Sequence, residues 1–236
     1  MKKTILAVFF SLFFSAVASA DIGLNVGVSA QIGVMEAKGE ETNSDGTSFK
    51  ETSDTEELLF GTVGAFIEKD LSFLPGIGDG IGSRIAIGYT NIAHDIDLGT
   101  QNNVRQASLG AGGKTVAAGT NTLKAQVTDF QTIYATINLT DWLYVTAGEV
   151  TVDVDTEFTK SGVKSTDYGS SHELDGSVVG IGVQKTSDNG MFFRVEYNNY
   201  SIDGKSVAST GSDSTLTATL KDVSGETTRI SVGKAF

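Results

Sequence analysis

The chain has 236 residues and a formal net charge of −12, with 28 glycines, one proline and no cysteine. This acidity argues against nucleic-acid binding, which needs basic patches, and against a basic helix lying on a membrane surface. Without cysteine there is no disulfide framework, and the scarcity of proline suits a sheet whose strand residues all donate hydrogen bonds.

The beginning of the chain has the pattern of an export signal. Met1-Lys2-Lys3 is followed by an apolar run over residues 5–17 and then by Ala18-Ser19-Ala20. A charged start, an apolar middle and a small-residue cleavage site are typical of a secretory signal peptide. The run is shorter than the about 20 residues that a membrane-spanning helix needs, and an uncleaved anchor helix is the alternative. We predict a cleaved signal peptide at residues 1–20 and one domain at residues 21–236.

Alternating apolar residues predict eight strands in the rest of the chain. In the first, every second residue from Ile22 to Val34 is apolar, and the residues between them are small or polar. Such strict period-2 alternation is a strong strand signal. The other strands are predicted at about residues 58–68, 81–92, up to 139, from 142, at 176–185, 191–200 and up to 236.

The breaks between these strands alternate between long and short. Long polar stretches lie at about residues 38–57, 95–122, 156–173 and 202–227. An outer-membrane barrel has long external loops at one rim and short periplasmic turns at the other, whereas a soluble sandwich does not require this alternation. We therefore predict an all-β fold, an eight-stranded antiparallel up-and-down transmembrane β-barrel with four long external loops. Because Leu216, Ala218 and Leu220 alternate within the fourth long break, ten strands are also possible.

The last ten residues predict the closing strand. Ile230, Val232 and Phe236 share one face, and we expect them to serve as an assembly signal and an anchor at the lipid interface. Lys234 interrupts this apolar row, although a lysine stem can reach along the wall to the periplasmic rim. We expect Trp142 and Tyr144 to belong to an aromatic girdle.

Five charged side chains are predicted to point into the lumen. Exposing an arginine to lipid near the midplane costs about 2–4 kcal/mol, so the inward orientation is favoured. Because side chains nearly fill an eight-stranded barrel, we expect an Arg–Glu network that plugs it. The alternative is the charged constriction of an ion-selective pore. The five residues are Arg84, Glu149, Arg194, Glu196 and Arg229.

Catalysis has little support in the sequence. The two histidines, His94 and His172, are expected near the external rim. Ser171, His172 and Glu173 are adjacent in the chain, but adjacency does not supply the geometry of a nucleophile, a base and an orienting acid. We expect ordinary loop histidines and no enzyme. Without cysteine and with scattered histidines, we expect neither a transition-metal site nor a cofactor.

Acidic residues crowd the first long loop. Carboxylate oxygens are suitable ligands for calcium or magnesium, but no calcium-loop motif is present, and a solvated acidic loop is the preferred interpretation. The residues are Glu40, Glu41, Asp45, Glu51, Asp54, Glu56 and Glu57.

The signal, the eight alternating segments, the Asn-Leu-Thr-Asp-Trp turn at residues 138–142 and the terminal Phe236 resemble small Gram-negative outer-membrane barrels. This is the group of the OmpA transmembrane domain, OmpX and the opacity proteins. The resemblance covers the mature chain and is architectural, and Lys234 departs from the usual apolar row of the closing strand.

The resemblance implies insertion into the outer membrane by the outer-membrane assembly machinery. It also implies a monomer that contacts outer-membrane lipid and lipopolysaccharide, with external loops available to a surface ligand. The expected role is structural or surface-interactive, as in adhesion or envelope integrity. A small ion or solute pore is the alternative, and a lipid-modifying enzyme is less favoured. Fold alone does not decide among these roles.

Overall fold

The computed structural model describes residues 22–43, 50–52, 56–74, 80–92, 94–105, 108–109, 115–116, 119–160, 163–165, 169–210 and 216–236. Eight long strands of this part of the chain form one sheet. They are β1 (Leu24–Ala37), β2 (Glu56–Asp70), β3 (Ile85–Ile92), β4 (Gly119–Asn138), β5 (Leu143–Lys160), β6 (Ser171–Thr186), β7 (Met191–Ile202) and β8 (Val223–Ala235). The predicted signal peptide, Asp45 and Asp54 lie outside the described residues.

The sheet closes on itself. Each strand pairs antiparallel with the next, and β8 pairs with β1 from Asn25–Ala235 to Glu36–Ser224. The predicted eight-stranded antiparallel barrel is confirmed, and the alternative of ten barrel strands is not what the described residues form. Among these residues, no helix has the length and apolar character needed to cross a membrane.

The two rims of the barrel differ. At one rim the connections include the 3-10 turn Gly82–Arg84 and the turns at residues 139–142 and 187–190. At the other rim, the segments predicted as long loops contain strands of their own, and the hydrogen-bonded ladders of the barrel continue past the predicted strand ends. Ile96–Arg105 pairs with β4, and Val163–Ser165 pairs with β5. A four-stranded sheet, here called the outer sheet, consists of Lys205–Ala208, Leu216–Leu220, Gly39–Asn43 and Lys50–Thr52, in that order; Ser108–Leu109 and Thr115–Val116 form a separate short ladder.

On the long-loop side of β2 the wall has a gap in strand pairing, here called the seam. β2 pairs with β3 only from Ala65 to Asp70, and Ile96–Arg105 pairs with β4 rather than with β2. Next to the last of these β2–β3 pairs, the Val63 amide donates to His94 Nε2 at 3.0 Å. The imidazole therefore takes the place of a ladder acceptor at this edge.

The hydrogen-bonded rungs are inclined to the barrel axis. A path that starts at Met191, near the short turns, and crosses one strand at a time returns to β7 at Ser201, near the long loops. Residues on one rung therefore lie at different heights in the wall, as strand tilt in a barrel requires. The path runs through Met191, Lys234, Val26, Ile67, Tyr89, Ile133, Glu149, Ser177 and Ser201.

The polarity of the two faces inverts along the barrel. In the half toward the short turns, here called the inner half, the outer face is apolar and the lumen contains hydroxyl and charged groups such as Thr146 and Glu196. In the half toward the long loops, here called the outer half, the lumen holds an apolar core that includes Val150, Val152 and Leu174. There the outer face bears exposed acids such as Asp175. The wall is thus suited to lipid in one half and to water in the other.

Candidate functional site

The first element of the candidate site is an ion pair that spans the lumen. Glu68, near the end of β2, and Arg194, near the start of β7, both point inward. Arg194 Nη1 lies 2.5 Å from Glu68 Oε1, and the side chains are 9% and 1% exposed. The carboxylate also accepts hydrogen bonds from the Tyr134 hydroxyl at 3.0 Å and from Asn25 Nδ2 at 3.2 Å. Arg194 Nε donates to Gln184 Oε1 at 3.1 Å. These additional bonds offset the cost of burying both charges.

A second ion pair lies closer to the middle of the barrel. Arg229 Nη2 donates to Glu196 Oε1, and the two residues face each other on the neighbouring strands β8 and β7. Glu196 also accepts a hydrogen bond from the Thr146 hydroxyl at 3.2 Å. The structure therefore brings together three of the five predicted lumen charges, Arg194, Glu196 and Arg229, and adds Glu68 to them.

Four aromatic rings line the lumen beside these charges. Each ring faces a glycine directly across the ladder, with one such pair in every second strand pair of the barrel: β1–β2, β3–β4, β5–β6 and β7–β8. A Cβ atom at Gly88 or Gly182 would lie 2.4 Å from the opposite tyrosine ring, so only glycine lets these rings lie against the wall. The pairs are Gly27 with Phe66, Gly88 with Tyr134, Gly182 with Tyr144 and Gly233 with Phe192.

The rings enclose the arginines. The Arg194 guanidinium carbon lies 4.6 Å from the ring centroid of Phe192 and 5.4 Å from that of Tyr144. It lies 5.8 Å from the centroid of Phe66. These distances allow cation–π attraction, which strengthens when the cation is desolvated. Carboxylates and aromatic rings together therefore fix the guanidinium and occupy the cross-section of the inner half.

Little space is left above the second ion pair. A cavity of about 10 Å³ lies beside Arg229, Thr62 and Thr132, which is room for about one water molecule. Arg229 Nε and the Thr62 hydroxyl are buried and have no hydrogen-bond partner among the described residues. A single buried water would satisfy these groups, whereas a hydrated ion would not fit in this space.

Two members of the predicted network lie elsewhere, so those predictions were wrong. Glu149 is exposed on the outer face of β5, because the inward face of β5 consists of Tyr144, Thr146, Gly148 and Val150. The inclined rungs raise Glu149 toward the long loops, so its outward orientation does not place it in the middle of the apolar wall. Arg84 is exposed in the 3-10 turn before β3, with Nη1 3.5 Å from the Leu139 carbonyl oxygen.

The predicted girdle is also corrected in part. Trp142 is 57% exposed at a short turn, but Tyr144 is 1% exposed and lies in the lumen. The cause is the change of polarity along β5, where an outward apolar row in the inner half gives way to an inward apolar row in the outer half. Tyr144 shares its face with Val150 and Val152, which are buried in the lumen of the outer half, so the apolar row that contains Tyr144 faces inward.

Glu68 was missed because both faces of β2 are apolar in sequence, which leaves the register undetermined. A usable signal was present nevertheless. Thr62, Gly64, Phe66 and Glu68 form a row of small, aromatic and charged residues, which matches the lumen rows of the other strands.

The closing strand has the predicted orientation. Ile230 and Val232 are 47% and 44% exposed on the outer face, and Lys234 follows them on that face. The Phe236 carbonyl oxygen accepts hydrogen bonds from the amides of Ile22 and Leu24, at 2.9 and 3.1 Å. A role as an assembly signal stays a prediction.

The two histidines do not form a shared site. His94 accepts from the Val63 amide at the seam, and His172 lies on β6 with its partly buried side chain on the inward face. Ser171 and Glu173 lie on the opposite face of β6, so the three adjacent residues do not assemble as nucleophile, base and acid. Among the described residues, no three His, Asp or Glu side chains gather in a way that would hold a metal ion. Glu40, Glu41 and Glu51 belong to the outer sheet, and Glu56 and Glu57 to β2.

No family model and no curated protein matches the sequence. Solved structures do match. The attachment invasion locus protein Ail of Yersinia pestis is 7% identical, covers 85% of this chain and 97% of its own, and has a TM-score of 0.29. The outer membrane protease OmpT of Escherichia coli is 9% identical, with coverages of 94% and 99% and a TM-score of 0.44. Neisserial surface protein A is 12% identical, with coverages of 91% and 97% and a TM-score of 0.36. Such similarity concerns general barrel architecture and says nothing about activity.

Proposed function

We propose that this chain is a monomeric outer-membrane barrel that conducts no solute. Its outer half would form a rigid head that projects above the membrane and contacts a surface ligand. The observation that carries the proposal is the inversion of polarity along the wall. An apolar outer face in the inner half suits lipid, whereas an apolar core beneath an acidic outer face suits water. The outer half is then a packed structure rather than a set of loose loops.

Exposed apolar side chains support membrane insertion of the inner half. Ile181, Ile230 and Phe193 are between 47% and 50% exposed, and they come from three different strands. A soluble protein rarely exposes a continuous apolar band of this kind. The charged export signal predicted at residues 1–20 favours the outer membrane, with the short turns in the periplasm and the assembly machinery as the inserting partner.

The filled lumen supports a structural rather than a conducting role. Two buried ion pairs and four aromatic rings occupy the inner half, and the apolar core occupies the outer half. A charged constriction that conducts needs a continuous aqueous path, which this filling opposes.

Planar-bilayer recording tests the absence of conduction. The full mature chain, shown to be folded by its heat-dependent shift on an electrophoresis gel, should give no discrete conductance steps. Reproducible unitary steps from the folded protein would favour the small-pore alternative.

Replacement of the outer sheet tests the surface role. Residues 39–52 and 205–220 would be exchanged for short turns, with an intact barrel verified by the same heat-dependent shift. Cells that express this variant should lose adhesion to host-like or abiotic surfaces, or should become sensitive to detergent, relative to the wild type. Unchanged adhesion together with unchanged envelope integrity would contradict the proposal.

A further inference from the structure

Three outward rows of the barrel end in lysine at the short-turn rim. On β2 the row passes through Ile67 to Lys69, on β6 through Val183 to Lys185, and on β8 through Val232 to Lys234. Each lysine comes two residues after an apolar outward residue, so each ammonium group lies at the edge of the apolar band. Because the three strands are spread around the barrel, the cations lie on different sides of it.

Outward rows of β1, β2 and β5 reach acids at the opposite edge of the band. Val34 is followed outward by Glu36, and Leu59 by Glu57, while Ala147 is followed by Glu149. At these positions the outward rows therefore reach lysines below the apolar band and carboxylates above it.

The surroundings of two lysines hold their ammonium groups at this level. Lys69 Nζ donates to the Ile22 carbonyl oxygen at 2.7 Å and lies 3.1 Å from the Asp70 carboxylate. Lys234 Nζ donates to the Asn189 carbonyl oxygen at 2.8 Å. An ammonium group has three N–H donors, so both retain capacity for an anion, although Asp70 competes at Lys69.

Lys69 and Lys234 are only partly exposed, and the apolar wall beside them is covered. Val26 points outward between Ile67 and Lys234 on its rung, yet it is only 2% exposed, so neighbouring side chains cover it. A stem over apolar wall with its head at the edge is how lysine behaves at a membrane interface.

We infer that Lys69, Lys185 and Lys234 form a basic collar that binds phosphate headgroups of anionic phospholipid in the leaflet at the short-turn end. This inference rests on the membrane insertion proposed above. Charge complementarity identifies the occupant, because basic residues at the membrane surface attract anionic lipids. The acidic edge at the other end disfavours such lipids there, so the collar also orients the barrel relative to the two leaflets.

Trp142 provides a direct local probe of the collar. It is the only tryptophan, it is 57% exposed, and its carbonyl oxygen accepts a hydrogen bond from the Gln184 amide, next to Lys185. The mature chain would be placed in vesicles of equal parts phosphatidylglycerol and phosphatidylcholine, with one lipid brominated near the top of its acyl chains. In the wild type, brominated phosphatidylglycerol should quench Trp142 as if enriched about two- to fivefold over phosphatidylcholine.

Lys185→Gln should reduce this enrichment toward onefold, and Lys205→Gln, which removes a lysine of the outer sheet, should leave it unchanged. Equal quenching by both lipids in the wild type would overturn the collar, as would equal losses in the two variants. If lipopolysaccharide displaced brominated phosphatidylglycerol from Trp142, the assignment to a phospholipid leaflet would be wrong. If neither brominated lipid quenched Trp142, the membrane insertion itself would fail.

Native mass spectrometry extends the test to the whole collar. After partial delipidation, the triple variant Lys69→Gln/Lys185→Gln/Lys234→Gln should retain at least threefold fewer phosphatidylglycerol molecules than the wild type. This factor corresponds to the loss of the attraction that each lysine exerts on anionic lipid. The matched triple variant Lys124→Gln/Lys205→Gln/Lys221→Gln removes the same charge from the long-loop side. Equal retention by both triple variants would exclude a collar.

Discussion

Arg194 on β7 bonds to Glu68 on β2 across the lumen, although two other strands, β8 and β1, separate β7 from β2 in the wall. The pair therefore acts as a strut between β7 and β2, which lie on either side of the β8–β1 junction where the barrel closes. Its value to the fold depends on both partners, since either one alone would be a buried, uncompensated charge.

Glu68→Gln should destabilise the barrel by about 3–5 kcal/mol, because Arg194 would stay buried without its counter-ion. Urea unfolding in lipid vesicles, followed by Trp142 fluorescence, measures this change. Glu149→Gln removes the same charge from an exposed position and should change the free energy of unfolding by less than about 0.5 kcal/mol. Equal effects of the two variants would refute the strut.

Replacing both partners of the ion pair distinguishes the loss of their attraction from the cost of leaving Arg194 buried without a counter-ion. Glu68→Leu/Arg194→Met should be less destabilised than Glu68→Gln, because apolar residues of similar volume leave no buried charge. A double variant at least as unstable as the single one would show that the ion pair contributes net attraction. The measurement is the same unfolding titration.

Gly182→Ala should destabilise the barrel by about 1–3 kcal/mol through overpacking, since the new methyl group would meet the Tyr144 ring. Gly61→Ala is the matched control, because the nearest atom to its added Cβ is the Gln31 carbonyl oxygen at 3.8 Å. Tolerance of Gly182→Ala, with the ring unmoved in a crystal structure, would contradict the close packing of ring on glycine.

Leu174→Ala tests the apolar core of the outer half. Leu174 is 7% exposed within that core, and its truncation should cost about 2–5 kcal/mol. Val179→Ala, on the outer face of the same strand, leaves no internal cavity and should cost less than about 1 kcal/mol. Hydrogen exchange should localise the loss of protection in Leu174→Ala to the outer half; uniform loss would mean that the halves do not differ.

Arginine substitutions locate the boundary of the lipid-facing band. Ile181→Arg should destabilise the inserted barrel by about 2–4 kcal/mol, and Glu149→Arg by no more than about 1 kcal/mol, because that position is closer to the water interface. The two positions are on the neighbouring strands β6 and β5. Similar costs at both would mean that the band extends further toward the long loops than the change of polarity indicates.

The parts of the fold that the sequence predicted well are the strands with one uniform face. In β1 every second residue is apolar on the outside, and in β8 the row of Ile230 and Val232 set the correct inward direction of Arg229. Period-2 alternation determines orientation directly in such strands, since a shift of one residue would reverse every side chain.

Prediction failed where a strand meets two environments. β5 changes its apolar face midway, and a single lipid-facing row cannot describe it, so Tyr144 and Glu149 were placed on the wrong faces. β2 has apolar residues on both faces, which hid Glu68. The glycine-and-ring pairs depend on cross-strand register, which one sequence read in isolation does not reveal.

The change of polarity midway along the wall divides the barrel into a stem and a head that different forces stabilise. With the membrane insertion proposed above, lipid or detergent has to cover only the stem (the inner half), whereas the head (the outer half) retains its own apolar core in water. The two parts share the small cavity, which Arg229 and Thr132 line from the stem side and Phe130 and Tyr200 from the head side, so a graft made at this level would have to keep these contacts. The same continuous strands therefore form two kinds of barrel: one with an apolar interior in the outer half, and one with an apolar exterior in the inner half.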